Sequence, residues 1–127
     1  MEKLALRVMV VDDDPDHADL LAEFVTMSEH QPVIARCATD ALSLVETNVF
    51  DLILVDLGLP DFHGDLLVRQ LRERGITCRI VATTGFGGQH ARDSSMRSGV
   101  DAFFLKPFPL AKIREELEQL VKRSEVS

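Results

Sequence analysis

Leu4-Ala5-Leu6-Arg7-Val8-Met9-Val10-Val11-Asp12-Asp13-Asp14-Pro15 is the stretch on which the fold turns. Its first eight residues are apolar apart from Arg7, and the run ends abruptly in acid. A strand with one wet face would alternate; a continuous apolar run suits a strand buried on both faces, as in a parallel sheet. Pro15 then fits the first turn of a helix, where its missing N–H is not needed. Leu20, Leu21, Phe24 and Val25 give that helix a one-sided apolar stripe.

The same alternation repeats down the chain. Pro32 marks a break, and Val33–Ala38 reads as a second strand. Thr39 is the expected N-cap of a helix carrying Ala41, Leu42 and Val45. Phe50–Val55 is a third strand, again ending in acid at Asp56. A helix begins near Gly64 with Leu66, Leu67 and Leu71, and Gly75 stands just past its end. Arg79–Thr83 is a fourth strand, followed by the glycine-rich Gly85-Phe86-Gly87-Gly88. Residues 89–98 form a weak helix, with Ala91 and Met96 its only apolar side chains. Asp101–Leu105 is a fifth strand, and Leu110, Ile113, Leu117 and Leu120 define a last amphipathic helix. Strands alternating with helices imply an α/β doubly wound (βα)5 fold, a parallel sheet with helices on both faces and right-handed crossovers.

Composition narrows the function classes. The 127 residues fit a single domain, 1–127. The net charge of -7, from 14 Lys+Arg against 21 Asp+Glu, argues against direct nucleic-acid binding. No apolar run is long enough to span a membrane, and Met1-Glu2-Lys3 leads straight into a strand, so neither membrane insertion nor a signal peptide is expected. Cys37 and Cys78 stand alone in apolar segments and read as reduced thiols of a cytoplasmic protein. His17, His30, His63 and His90 are too scattered for a zinc site; His63 and His90 read as exposed loop residues. Arg69, Arg72 and Arg74 read as a solvated helix face.

In such folds ligands sit outside the carboxyl ends of the strands. Those ends carry Asp12-Asp13-Asp14, Asp56, Thr83-Thr84-Gly85 and Leu105-Lys106-Pro107. Like carboxylates about 4 Å apart repel by roughly 4 kcal/mol at an effective dielectric near 20, so a converging set calls for a cation. Oxygen-only ligands select a hard divalent ion such as Mg2+. A carboxylate can also attack phosphorus to form an aspartyl phosphate, with a lysine and the metal neutralising the phosphoryl oxygens.

These residues resemble the receiver domain of two-component response regulators, the CheY-like family, over essentially the whole chain. The matching pieces are Val10-Val11-Asp12-Asp13-Asp14-Pro15, Asp56-Leu57-Gly58-Leu59-Pro60 with Gly64, Thr84-Gly85, and Lys106-Pro107-Phe108. The resemblance implies a flavodoxin-like five-stranded sheet in the order 2-1-3-4-5. It implies that Asp56 is the phosphoacceptor, receiving its phosphoryl group from a histidine kinase or a histidine phosphotransfer protein. Asp12, Asp13, Asp56 and the backbone carbonyl of Gly58 would hold Mg2+ (or Mn2+), Asp12 mainly through a bound water. Lys106 and Thr84 would contact the phosphoryl oxygens, and the amides of Leu57 and Gly85 would donate to them. Thr84 and Phe103 would form the switch. The first two aspartates read as the acidic pair, because Asp14 then caps the helix opened by Pro15. The surface around the fifth strand and its flanking helices would meet a downstream effector, a fused output domain or, on phosphorylation, a second copy. The implied protein is a signalling receiver and not a kinase.

Further expectations concern dynamics. The glycines after Thr84 and the poor helix that follows point to residues 85–99 as a bistable element. In the family it resembles, the positions two residues after Asp56 and Thr84 influence how water reaches the phosphoryl group; Gly58 and Phe86 offer no group to position a hydrolytic water there, so self-dephosphorylation is expected to be slow. An Asp-nucleophile phosphatase would need a second Asp where Gly58 stands, and no GxxxxGK[ST] or GxGxxG supports a nucleotide module. The alternative that keeps the fold is a phosphorylation-independent pseudo-receiver that only binds protein.

Overall fold

Five strands and five helices alternate in the computed structural model, which describes residues 4–85 and 89–126. They are β1 (Arg7–Val11), α1 (Pro15–Met27), β2 (Gln31–Ala35), α2 (Ala38–Thr47), β3 (Leu52–Asp56), α3 (Gly64–Glu73), β4 (Arg79–Thr84), α4 (Gln89–Ser98), β5 (Ala102–Leu105) and α5 (Ala111–Val126). All neighbouring strands are parallel, in the order β2-β1-β3-β4-β5. The doubly wound architecture and the strand order are those expected.

The pleat explains the continuous apolar runs. Val8 and Val10 point into one layer with Leu52, Leu54 and Val81, covered by Ala18, Leu21 and Val25 of α1 and Ile113 and Leu117 of α5. Met9 and Val11 point the other way with Ile53, Val55, Ile80 and Ala82, beneath Ala38 and Ala41 of α2 and Leu67, Val68 and Leu71 of α3. Both faces of the central strands are therefore dry. The adjacent Phe103 and Phe104 divide in the same way, Phe103 against the α2–α3 layer and Phe104 against the α1–α5 layer.

Several boundaries and caps differ from the sequence reading. The second strand starts earlier and contains Pro32 instead of following it. The Gln31 amide donates to Leu6 O, so the next position faces away from β1, where a missing N–H costs no ladder bond. Thr39 does not cap α2. Its N-cap is Cys37, which makes no side-chain cap bond. Asp61, from the loop after β3, takes over: its carboxylate accepts from Ala38 N (3.0 Å), Thr39 N (2.8 Å) and Thr39 Oγ1 (2.8 Å). Asp14, by contrast, caps α1 as expected, accepting from Asp16 N and His17 N. His63 is exposed but caps α3, accepting from Asp65 N. At the far end of α3, Gly75 has φ +87°, the left-handed geometry that closes a helix.

Arg72 is not part of a solvated face. Its Nε donates to Gly99 O (2.9 Å), its Nη1 to Ile76 O (3.0 Å) and Cys78 O (2.8 Å), and its Nη2 to Asp101 Oδ2 (2.9 Å). One guanidinium thus ties the end of α3 to the strand starts on either side of α4. Gly99 has φ +116°, and a Cβ there would meet Arg72 Cγ at 2.9 Å.

Candidate functional site

The site forms where the strand order reverses. From β1 the chain moves outward to β2, then crosses back to β3 on the other side of β1. The helices following β1 and β3 leave on opposite faces, opening a crevice at the carboxyl ends of these two strands. Asp12 and Asp13 follow β1 directly, and Asp56 is the last residue of β3.

Carboxylate oxygens of Asp12, Asp13 and Asp56 lie within 4.8 Å of one another. Asp12 is 1% exposed and Asp56 9%, while Asp13 is on the surface. At that separation each charged pair repels by about 3.5 kcal/mol at an effective dielectric of 20. Lys106, from the loop after β5, offsets part of this: its Nζ donates to Asp56 Oδ2 at 3.0 Å and to Asp12 Oδ2 at 3.4 Å. Burial works against its charge. The hydrogen bond to Asp56 and the charges of Asp12 and Asp56 outweigh that and raise its pKa above the ordinary lysine value. One ammonium against three carboxylates leaves an acidic surplus on an all-oxygen donor set with one open side. That is the chemistry of a hard divalent cation that keeps part of its water, and the residues fit Mg2+.

The backbone holds Asp56 in place. Gly58 N donates to Asp56 Oδ1 at 2.9 Å. The Leu57 amide, expected to face a phosphoryl group, instead donates to Thr83 O at 2.9 Å, because the β3–β4 ladder continues one residue past the Asp56–Thr83 pair. The amide that reaches the Asp56 carboxylate is that of Gly58. Gly64, the first residue of α3, closes the loop: its N–H donates to Leu57 O, and a Cβ would stand 2.7 Å from Asp56 O and from Leu57 Cα. No side chain fits there without moving the backbone that carries Asp56.

Thr84 ends β4 on the same rim, buried and level with Leu105 across the ladder, and Lys106 N donates to its carbonyl at 2.7 Å. Gly85 follows it, exposed. Phe103 lies opposite Ala82 in β5, two positions before Thr84 in the β4 register. Residues 86–88, which include the expected hydrolysis-setting Phe86, lie outside the described residues.

Sequence reasoning missed one participant. His17, in the first turn of α1, approaches Asp12 Oδ2 with Nδ1 at 2.6 Å and packs edge-on against Phe108, ring centroids 5.9 Å apart. Its five-residue offset from Asp12 spans a strand end and a helix start, so no single periodicity pairs the two.

Among the described residues, no helix is long and apolar enough to cross a membrane. A family model described as the response regulator receiver domain matches residues 8–118. The chain is 35% identical to an uncharacterized 14.6 kDa protein in the sodA1 3' region of Leptolyngbya boryana, covering 90% of each. It is 28% identical to the sensor histidine kinase RcsC of Salmonella typhi, over 93% of this chain but only 12% of that protein. The solved receiver domain of the Francisella response regulator 1452 superposes with a TM-score of 0.87 at 25% identity, covering 94% of this chain and 98% of that one.

Proposed function

Because the chain belongs to the response regulator receiver domain family of two-component systems, we propose that residues 1–127 work as one phosphoacceptor domain with Asp56 as the acceptor. The observation that carries this reading is the approach of Lys106 Nζ to within 3.0 Å of Asp56 Oδ2, inside the cluster that Asp12 and Asp13 complete.

In the proposed reaction an Asp56 oxygen forms a bond to phosphorus as the N–P bond of a phosphohistidine breaks. The donor imidazole keeps the electron pair and takes up a proton. The donor belongs to a histidine kinase or a histidine phosphotransfer protein. Lys106 already holds an Asp56 oxygen and stays beside the incoming phosphoryl group, pairing with its charge. Thr84 contributes its hydroxyl, and the Gly58 and Gly85 amides contribute N–H donors. Asp12, Asp13, Asp56 and the Gly58 carbonyl would hold Mg2+ or Mn2+, which supplies further positive charge to the transferring oxygens.

The phosphoryl group, about -1.5 to -2 at neutral pH in place of the carboxylate's single negative charge, then draws Thr84 inward. Phe103 follows, and the surface of α4, β5 and α5 changes for its partner: an effector, a fused output domain or a second copy. The setting is the cytoplasm, where such donors work. Gly58 has no side chain to orient a water, so the aspartyl phosphate is expected to persist for minutes or longer.

Incubation with a small phosphoramidate and Mg2+, read by intact mass, tests the proposal. Wild type should gain one phosphoryl mass and Asp56→Asn none. A phosphorylation-independent binding module would gain none in either form, and that result would overturn the reading.

A further inference from the structure

Asp12 is the most enclosed of the three carboxylates, and its setting is built from three directions. Its Oδ1 accepts from Asp14 N at 2.9 Å. Its Oδ2 meets Lys106 Nζ at 3.4 Å and His17 Nδ1 at 2.6 Å. Lys106 sits closer to Asp56 than to Asp12, so its hold on Asp12 is the weakest of the three. The tightest restraint comes from the imidazole. A carboxylate only accepts, so Nδ1 carries the proton and donates.

The imidazole is itself well fixed. The His17 backbone N–H points at Asp14 Oδ1, inside the α1 cap. The ring stands at 81° to Phe108, whose own ring packs on Phe104. Rotation of the His17 ring is resisted by its bond to Asp12 and by Phe108.

We infer that His17 is a positioning residue for the cation site, holding the Asp12 carboxylate in one orientation so that the site favours Mg2+ over Ca2+. This rests on the proposed cation reading of Asp12, Asp13 and Asp56. Mg2+ demands near-ideal octahedral geometry with short bonds of about 2.0–2.1 Å, whereas Ca2+ tolerates irregular shells at about 2.3–2.6 Å. A carboxylate free to rock, whether it meets the ion directly or holds a water of its shell, costs the demanding ion more than the tolerant one. Loss of a hydrogen-bond partner behind a metal ligand commonly lowers affinity by about 10–100-fold.

The test is calorimetric titration of the full chain with MgCl2 and with CaCl2, without any phosphodonor, for wild type, His17→Leu, His17→Asn and Asp56→Asn. His17→Leu should weaken Mg2+ about tenfold or more and Ca2+ by less than about threefold. His17→Asn, whose amide nitrogen can donate from nearly the same place, should restore most of the Mg2+ affinity. Thermal melts of each variant without metal check that the fold is kept. Equal losses for the two ions, or an unchanged Mg2+ affinity in His17→Leu, would overturn the inference. If wild type binds Mg2+ and Asp56→Asn does not, the cation reading stands whatever His17 does. If wild type binds no Mg2+, the cation reading itself falls and takes this inference with it.

Discussion

Replacing Arg72 with alanine removes four hydrogen bonds at once, and the geometry sets the scale of the loss. Three go to the backbone carbonyls of Gly99, Ile76 and Cys78 and one to Asp101. Charged donors are worth about 1.5–3 kcal/mol each when fully buried, but this side chain is 24% exposed and the freed carbonyls regain some water. The Asp101 carboxylate is 39% exposed, so that ion pair adds no more than about 1 kcal/mol. About 1 kcal/mol for each carbonyl bond and less for the ion pair gives a total near 3 kcal/mol. For a chain of this size that lowers Tm by about 12 °C. The chain has no Trp or Tyr, so urea and thermal unfolding are best followed by far-ultraviolet circular dichroism. Arg72→Lys keeps the charge but not the planar fork and should recover less than half of the loss. A loss below about 1 kcal/mol in the alanine variant, or full recovery in the lysine variant, would refute the reasoning: Arg72 would then act as a surface charge.

Three other perturbations have defined outcomes. Gly64→Ala should destabilise by about 2–3 kcal/mol in urea titration, because the new Cβ collides with backbone at 2.7 Å and the Asp56 loop has to move; Mg2+ affinity should drop with it. Desolvation raises the pKa of Asp61, but its bonds from Ala38, Thr39 and its own loop outweigh that and hold the carboxyl well below the usual range. A depressed folded-state value stabilises above the unfolded pKa near 4 and is lost on acidification below it, so wild type should lose stability between about pH 4 and 2 more steeply than Asp61→Asn; parallel acid profiles would contradict this. Burial pushes the Cys78 thiol up to about 11 from 9.0, which cuts its thiolate near pH 8 about 100-fold; because a higher-pKa thiolate is the better nucleophile, native Cys78 should react with a disulfide reagent about tenfold more slowly than an unperturbed thiol. Reaction at the unfolded rate would refute it.

The sheet was legible because burial on two faces leaves a one-dimensional mark: Val8 to Val11 and Leu52 to Val55 are all apolar, and each run ends at an acid of the candidate site. The acids and Lys106 were legible for a related reason, since parallel strands deliver their carboxyl ends to one rim. What could not be read depends on partners far apart in sequence. Asp61 caps a helix 22–23 residues before it, and Arg72 bonds residues 27 and 29 positions on. Pro32 read as a break because the residue type signals one. Only the strand order makes β2 an edge, where a proline is harmless. Leu57 read as a donor to the site because the chain gives no sign that the ladder runs one residue further.

Pro32 also matters when many copies of the chain meet. The outer margin of β2 is a row of backbone groups with no strand beside it, and such margins invite the margin of another molecule to zip on. At Pro32 that row presents a ring carbon where an amide proton would stand, on the side turned away from β1. A second sheet laid along β2 would lose a bond there and meet a methylene. The β2 flank is therefore a poor seed for edge-to-edge growth of sheets.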